Sequence, residues 1–159
     1  MTRREQRNLM VGVGLTAAMA IGCGSDEGGG PATPLAADDA VDGSPVVNGC
    51  HQASYVDRAG TPTIHFGGDL DDSYSPACIT VSMDQQVSWS GDFEEHPLSP
   101  GVAPSVRGTS NPGTTPNPIP TQKSGTTTIT ATFGATGYFP YYCIDHEDDG
   151  MYGTVQVVP

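Results

Sequence analysis

Between residues 126 and 133 the chain alternates, setting Thr128, Thr130 and Thr132 against Ile129, Ala131 and Phe133. A period of two puts hydroxyls on one face and apolar groups on the other, the pattern of a strand with one side on a core. Other runs fit the same reading. Thr63-Ile64-His65-Phe66 is closed by Gly67-Gly68, and Cys78-Ile79-Thr80-Val81 and Gln86-Val87-Ser88-Trp89 flank a turn at Met83-Asp84. Residues 137–143 are rich in aromatics, and residues 152–158 read Tyr-Gly-Thr-Val-Gln-Val-Val. These runs are β-branched or aromatic and bounded by Gly, Pro, Asp and Ser. No helical period is sustained in residues 45–159, so the predicted class is all-β, a sandwich or a Greek-key barrel. Residues 97–124 carry Pro100, Pro104, Pro112, Pro116, Pro118 and Pro120 and read as a long surface loop.

The first residues follow another logic. Arg3, Arg4 and Arg7 precede an apolar run at 9–21, too short for a comfortable membrane span. With the small residue Gly22 before Cys23, residues 1–22 read as an export signal and Cys23 as a lipidation candidate. A cut after Ala20 is the alternative, and Arg3-Arg4 raises twin-arginine export, although Gln6 and Arg7 stand where apolar residues are expected there. All three readings take the chain out of the cytoplasm, to a periplasm or cell envelope. Residues 24–44 contain GSDEGGG, PATP and AADDA without apolar periodicity, and read as a flexible acidic tether. The expected organisation is signal 1–22, lipidated Cys and tether 23–44, and a folded domain 45–159.

Charge narrows the partners. Six Lys and Arg stand against 18 Asp and Glu. Removal of residues 1–22 leaves Arg58, Arg107 and Lys123 against seventeen acids, a balance of −14. Such a chain avoids nucleic acid and seeks basic partners. Its contact with a membrane is expected only through the N-terminal lipid, and a monomer is expected.

The four cysteines divide by context. Cys23 is the lipid candidate and Cys143 stands among potential metal ligands. Cys50 and Cys78 remain, and in an exported protein two such residues are expected to pair. The closed loop would be about 28 residues, worth roughly 3–4 kcal/mol in the chain-entropy model.

The chemistry is concentrated in Tyr141-Tyr142-Cys143-Ile144-Asp145-His146-Glu147-Asp148-Asp149-Gly150-Met151. A thiolate, an imidazole and a thioether within nine residues form a borderline-to-soft donor set that suits copper, and two His, one Cys and a weak axial Met is the set used for copper electron transfer. The second imidazole must come from elsewhere. His96 is the candidate, because it follows the Trp89 strand and opens the long loop, where loops at one end of a sandwich converge. His51 and His65 read as surface or strand histidines, and Met83 as core or loop.

This segment resembles the C-terminal copper loop of the cupredoxins, most closely plastocyanin and pseudoazurin. Gly137, Tyr138, Tyr142, Cys143, His146, Gly150, Met151 and Gly153 stand in the register Cys-x2-His-x4-Met, with a Gly six residues before the Cys and aromatics between. The resemblance covers residues 61–159 and is strongest over the last 30 or so. It implies a Greek-key β-sandwich of about eight strands with one mononuclear copper, bound by His96 and His146 through Nδ1, by Cys143 and by Met151.

Two departures bear on the sulfur. In the resembled proteins the residue after the first His offers its N–H to the Cys sulfur; here it is Pro97, which has none. Where plastocyanin-like loops often have Pro before the second His, this chain has Asp145, whose N–H is expected to serve the thiolate instead. Acids crowd both segments: Asp92, Glu94 and Glu95 before His96, and Asp145, Glu147, Asp148 and Asp149 around His146. Such a rim steers a basic redox protein, cytochrome-like in charge. The expected function is electron transfer rather than catalysis, since no nucleophile–base pair, phosphate loop or carboxylate dyad is present. The alternative is an envelope copper chaperone or storage protein.

Overall fold

The computed structural model describes residues 43–159. The expected signal, the lipidation candidate Cys23 and nearly all of the expected tether lie outside the described residues. Among the described residues, nine strands form two mixed sheets. They are β1 (Val56–Asp57), β2 (Thr63–Phe66), β3 (Tyr74–Ser75), β4 (Cys78–Ser82), β5 (Gln86–Ser90), β6 (Leu98–Pro100), β7 (Thr128–Thr132), β8 (Gly137–Cys143) and β9 (Tyr152–Val158). One sheet has the order β1-β4-β9-β8-β6 and the other β3-β2-β5-β7. Helix among the described residues is confined to single 3-10 turns at Gln52–Ser54, Gly68–Leu70 and Glu147–Asp149. The class is all-β.

The alternation that announces the strands also builds the core. Ile64 and Phe66, Ile79 and Val81, Val87 and Trp89, Ala131 and Phe133, Phe139 and Tyr141, and Val155 and Val157 are buried in one cluster, while Thr128, Thr130 and Thr132 are exposed. Apolar faces of both sheets therefore meet. Trp89 of β5 packs edge-on to Tyr141 of β8 across the two sheets, with ring centroids 5.3 Å apart. Gly153 fits because β9 runs tight against its neighbours: a Cβ there would lie 2.2 Å from the Ala77 carbonyl oxygen.

Cys50 and Cys78 form a disulfide across a sequence separation of 28. It pins the turn at Val47–Cys50 to the start of β4. That turn holds a polar hub which the sequence does not advertise. Asn48, 1% exposed, donates from Nδ2 to the carbonyls of Tyr141 (2.8 Å) and Gly153 (3.1 Å), and its Oδ1 accepts the N–H of Ala103 (2.8 Å).

The segment 97–124 is not wholly a surface loop. Leu98–Pro100 is an edge strand, with Leu98 opposite Cys143, and Leu98 exchanges both backbone hydrogen bonds with Gln122. Leu98, Ala103 and Ile119 are buried. Prolines conceal this strand from sequence patterning, yet an edge position tolerates a missing N–H. Met83 lies in the β4–β5 turn, 44% exposed.

Candidate metal centre

Two segments meet at one end of the core. The first leaves β5 at Ser90. Gly91 is required there, since a Cβ would stand 2.5 Å from the Phe66 carbonyl oxygen. Asp92 then nucleates a turn: its carboxylate accepts the N–H of Glu94 at 2.8 Å, and its carbonyl accepts the N–H of His96 at 3.0 Å. This delivers His96, 5% exposed, to the core. Pro97 follows, buried, and β6 then pairs with the end of β8.

The second segment runs from Cys143 to Met151, both fully buried. It closes on itself: Cys143 N–H donates to the Met151 carbonyl at 2.9 Å, and Met151 N–H to the His146 carbonyl at 3.1 Å. The 3-10 turn at Glu147–Asp149 ends on Gly150 at φ +96°, a left-handed conformation suited to glycine. Glu147 is tied into the fold, its carboxylate accepting the N–H of Ser105 at 3.0 Å. Two acids of the rim are thus engaged, Asp92 within its own loop and Glu147 by Ser105 of the β6–β7 segment.

The segments bring three donors together. His96 Nδ1 lies 3.2 Å from His146 Nδ1, and Cys143 Sγ lies 3.4 Å from the same nitrogen. One ligand atom from each of the three lies within 4.8 Å of the others. These separations suit donors sharing one ion at ordinary metal–imidazole and metal–thiolate lengths of about 2.0–2.3 Å. Met151 is buried in the same cluster as Cys143. His65 is exposed on β2 and His51 is exposed before the first 3-10 turn, and neither belongs to this group.

The electrostatics ask for a cation. Burial pushes the Cys143 thiol pKa up, backbone hydrogen bonds from Asp145 and His146 oppose this, and the charges of Asp145 and Asp72 add to the rise. A bare thiolate is disfavoured in such surroundings, and a bound metal would reverse that balance.

Asp72 is a site residue that sequence reasoning did not single out. Its Oδ1 lies 3.5 Å from His146 Nε2 and 3.9 Å from His96 Nδ1. With Asp71, Glu95 and Asp145 it lines an open concavity of about 450 Å³ over the two imidazoles. Nothing in its spacing marked it, because it is one of several acids in the β2–β3 loop.

No family model matches the chain, and no curated protein matches it. Solved structures do resemble it. Oxidized plastocyanin from Dryopteris crassirhizoma aligns at TM-score 0.42 and 18% identity, over 60% of this chain and 99% of that one. Reduced auracyanin from Roseiflexus castenholzii aligns at TM-score 0.40 and 20% identity, over 64% and 98%. The metal-binding domain of a Cu(I)-exporting P-type ATPase from Streptococcus pneumoniae aligns at TM-score 0.41 and 13% identity, over 66% and 96%. These scores lie below 0.5, so the chemistry of the site rests on its own atoms.

Proposed function

We propose that the chain is an exported, cupredoxin-type electron carrier with one mononuclear blue copper centre, held by His96, Cys143, His146 and Met151. The observation that carries this reading is a fully buried thiol 3.4 Å from an imidazole nitrogen that itself lies 3.2 Å from a second one. Copper bound there would alternate between Cu(II) and Cu(I), one electron at a time.

The chain's part is to hold the donors still. Cys143 sits at the end of β8, an interior strand, opposite Leu98 of the edge strand β6, and its amide is committed to Met151. The backbone amides of Asp145 and His146 act to lower the Cys143 thiol pKa, and hydrogen bonds of that kind would moderate the sulfur's electron density. Enclosure also favours a carrier over a chaperone. His96 and Cys143 are buried, whereas handing a metal to another protein needs donors open to exchange. His146, with its side chain 28% exposed, is the donor nearest to solvent and the natural edge for electron exit.

The proposed setting is the periplasm or cell envelope, which agrees with a Cys50–Cys78 disulfide. A lipid on Cys23 would tether the domain there. The test is a visible spectrum and a voltammogram of the copper-loaded full chain. The expected result is an intense blue band with a reversible wave, both lost in Cys143→Ser. A colourless protein that readily passes Cu(I) to an apo acceptor would overturn the reading in favour of a chaperone.

A further inference from the structure

We propose that Asp72 is a positioning residue for the metal centre: its carboxylate faces His146 Nε2, holds the ring proton on that nitrogen and so leaves the Nδ1 lone pair toward Cys143 and His96. The functional consequence rests on the copper reading, while the contact itself does not. His146 Nδ1 faces both Cys143 Sγ and His96 Nδ1, at 3.4 and 3.2 Å. To serve as a ligand it needs its lone pair, so the ring proton must sit on Nε2. Asp72 Oδ1 stands 3.5 Å from that atom. A carboxylate on the far nitrogen fixes both the tautomer and the orientation of a ligand imidazole, and raises its basicity.

The two imidazoles differ in how they are restrained. His96 is buried and backed by Gly67, where a Cβ would lie 3.3 Å from its Cδ2. His146 lies at the partly open edge and needs a restraint from outside. The loop that supplies Asp72 is built to hold its place. Leu70 N–H donates to the Gly67 carbonyl at 3.2 Å, and Ser73 Oγ donates to the Leu70 carbonyl at 2.6 Å. Asp71 takes φ +46° to turn the chain there, and Tyr74 anchors the loop in the core.

Three variants separate contact from charge. Asp72→Ala removes both, Asp72→Asn keeps an acceptor without the charge, and Asp71→Asn removes an equal charge from the neighbouring position while tolerating its left-handed backbone. Nitrogen-15 spectra of the metal-free chain should show a solvent-protected His146 Nε2–H in wild type and Asp71→Asn, weakened in Asp72→Asn and absent in Asp72→Ala. In the copper-loaded chain, Asp72→Ala should lower the ratio of Cu(II) to Cu(I) affinity on the order of tenfold, about 59 mV upward in potential. Asp72→Asn should fall between it and wild type. No protected Nε2–H in wild type, or equal potential shifts in Asp72→Ala and Asp71→Asn, overturns the proposal. Absence of a blue band would instead count against the copper reading, and the metal-free spectra would still decide on Asp72.

Discussion

The carbonyl of Pro97 accepts the N–H of Ile144 at 2.8 Å. This one bond joins the residue after His96 to the residue after Cys143, so the two ligand segments are held together by backbone. Pro97 has no N–H of its own to offer the sulfur, and the backbone groups that act to lower the thiol pKa are those of Asp145 and His146. Pro97→Asn can keep this carbonyl bond and adds an N–H directly after His96. Voltammetry should then give a higher potential, each tenfold fall in the Cu(II) to Cu(I) affinity ratio being about 59 mV. An unchanged or lower potential would mean that the new N–H is not aimed at the sulfur.

Asn48 should prove a stability hotspot although it bonds none of the donors. Its side chain satisfies carbonyls of β8 and β9 and the amide of Ala103, and its own backbone sits at φ +49°. Asn48→Ala strands several buried polar groups, each costing about 1–3 kcal/mol, and forces a left-handed alanine. Urea unfolding should show a loss on the order of 3 kcal/mol, while the spectrum of a bound metal stays the same.

Cys50→Ala with Cys78→Ala removes a cross-link that closes a loop of 28 residues. The chain-entropy model gives a loss of about 3–4 kcal/mol. The denaturation midpoint should fall accordingly, and a reductant that lowers wild type should leave the double variant unmoved.

What was legible in the chain follows from range. The long strands showed through their period of two, and the cluster of Cys143, His146 and Met151 lies within nine residues, so its chemistry is visible as text. β1 and β3 are two residues each and β6 is three, too short for any period to register. His96 was legible as a placement, after a strand and at the mouth of a loop. Asn48 and Asp72 were not, because what distinguishes them is contact with residues 24 to more than 100 positions away. An Asn in a turn and an Asp among other acids carry no signal until the sheets close around them.

Alkaline pH should unfold the domain through its tyrosines. Burial raises the pKa of Tyr55, Tyr74 and Tyr141 above the ordinary 10.0, with the charges of neighbouring tyrosines or of Cys143 adding to it. A folded value above the unfolded one gives stability that is whole below pH about 10 and is lost as pH rises beyond it. Absorbance titration should therefore show these three of the six tyrosines ionising only together with loss of the fold. Smooth ionisation of all six with the fold intact would contradict their burial.

Docking is the last point at which charge and surface compete. Exposed large hydrophobics among the described residues are Val56, Met83 and Ile144, and Ile144 alone belongs to the ligand segments. One isoleucine is far too little for an apolar docking face. The ligand segments also carry Glu95, Asp145, Asp148 and Asp149, all exposed, and Asp72 stands half-exposed beside His146. The full chain carries a formal charge of −12. We therefore expect a basic, cytochrome-like partner to be gathered by long-range attraction. The Debye length shrinks from about 10 Å at 0.1 M salt to about 3 Å at 1 M, so the bimolecular rate with such a cytochrome should fall steeply across that range. Charge-removing changes at Asp148 and Asp149 should flatten the dependence without altering the potential by as much as changes at Asp72. A rate independent of salt would return the docking role to Ile144 and the apolar atoms around it.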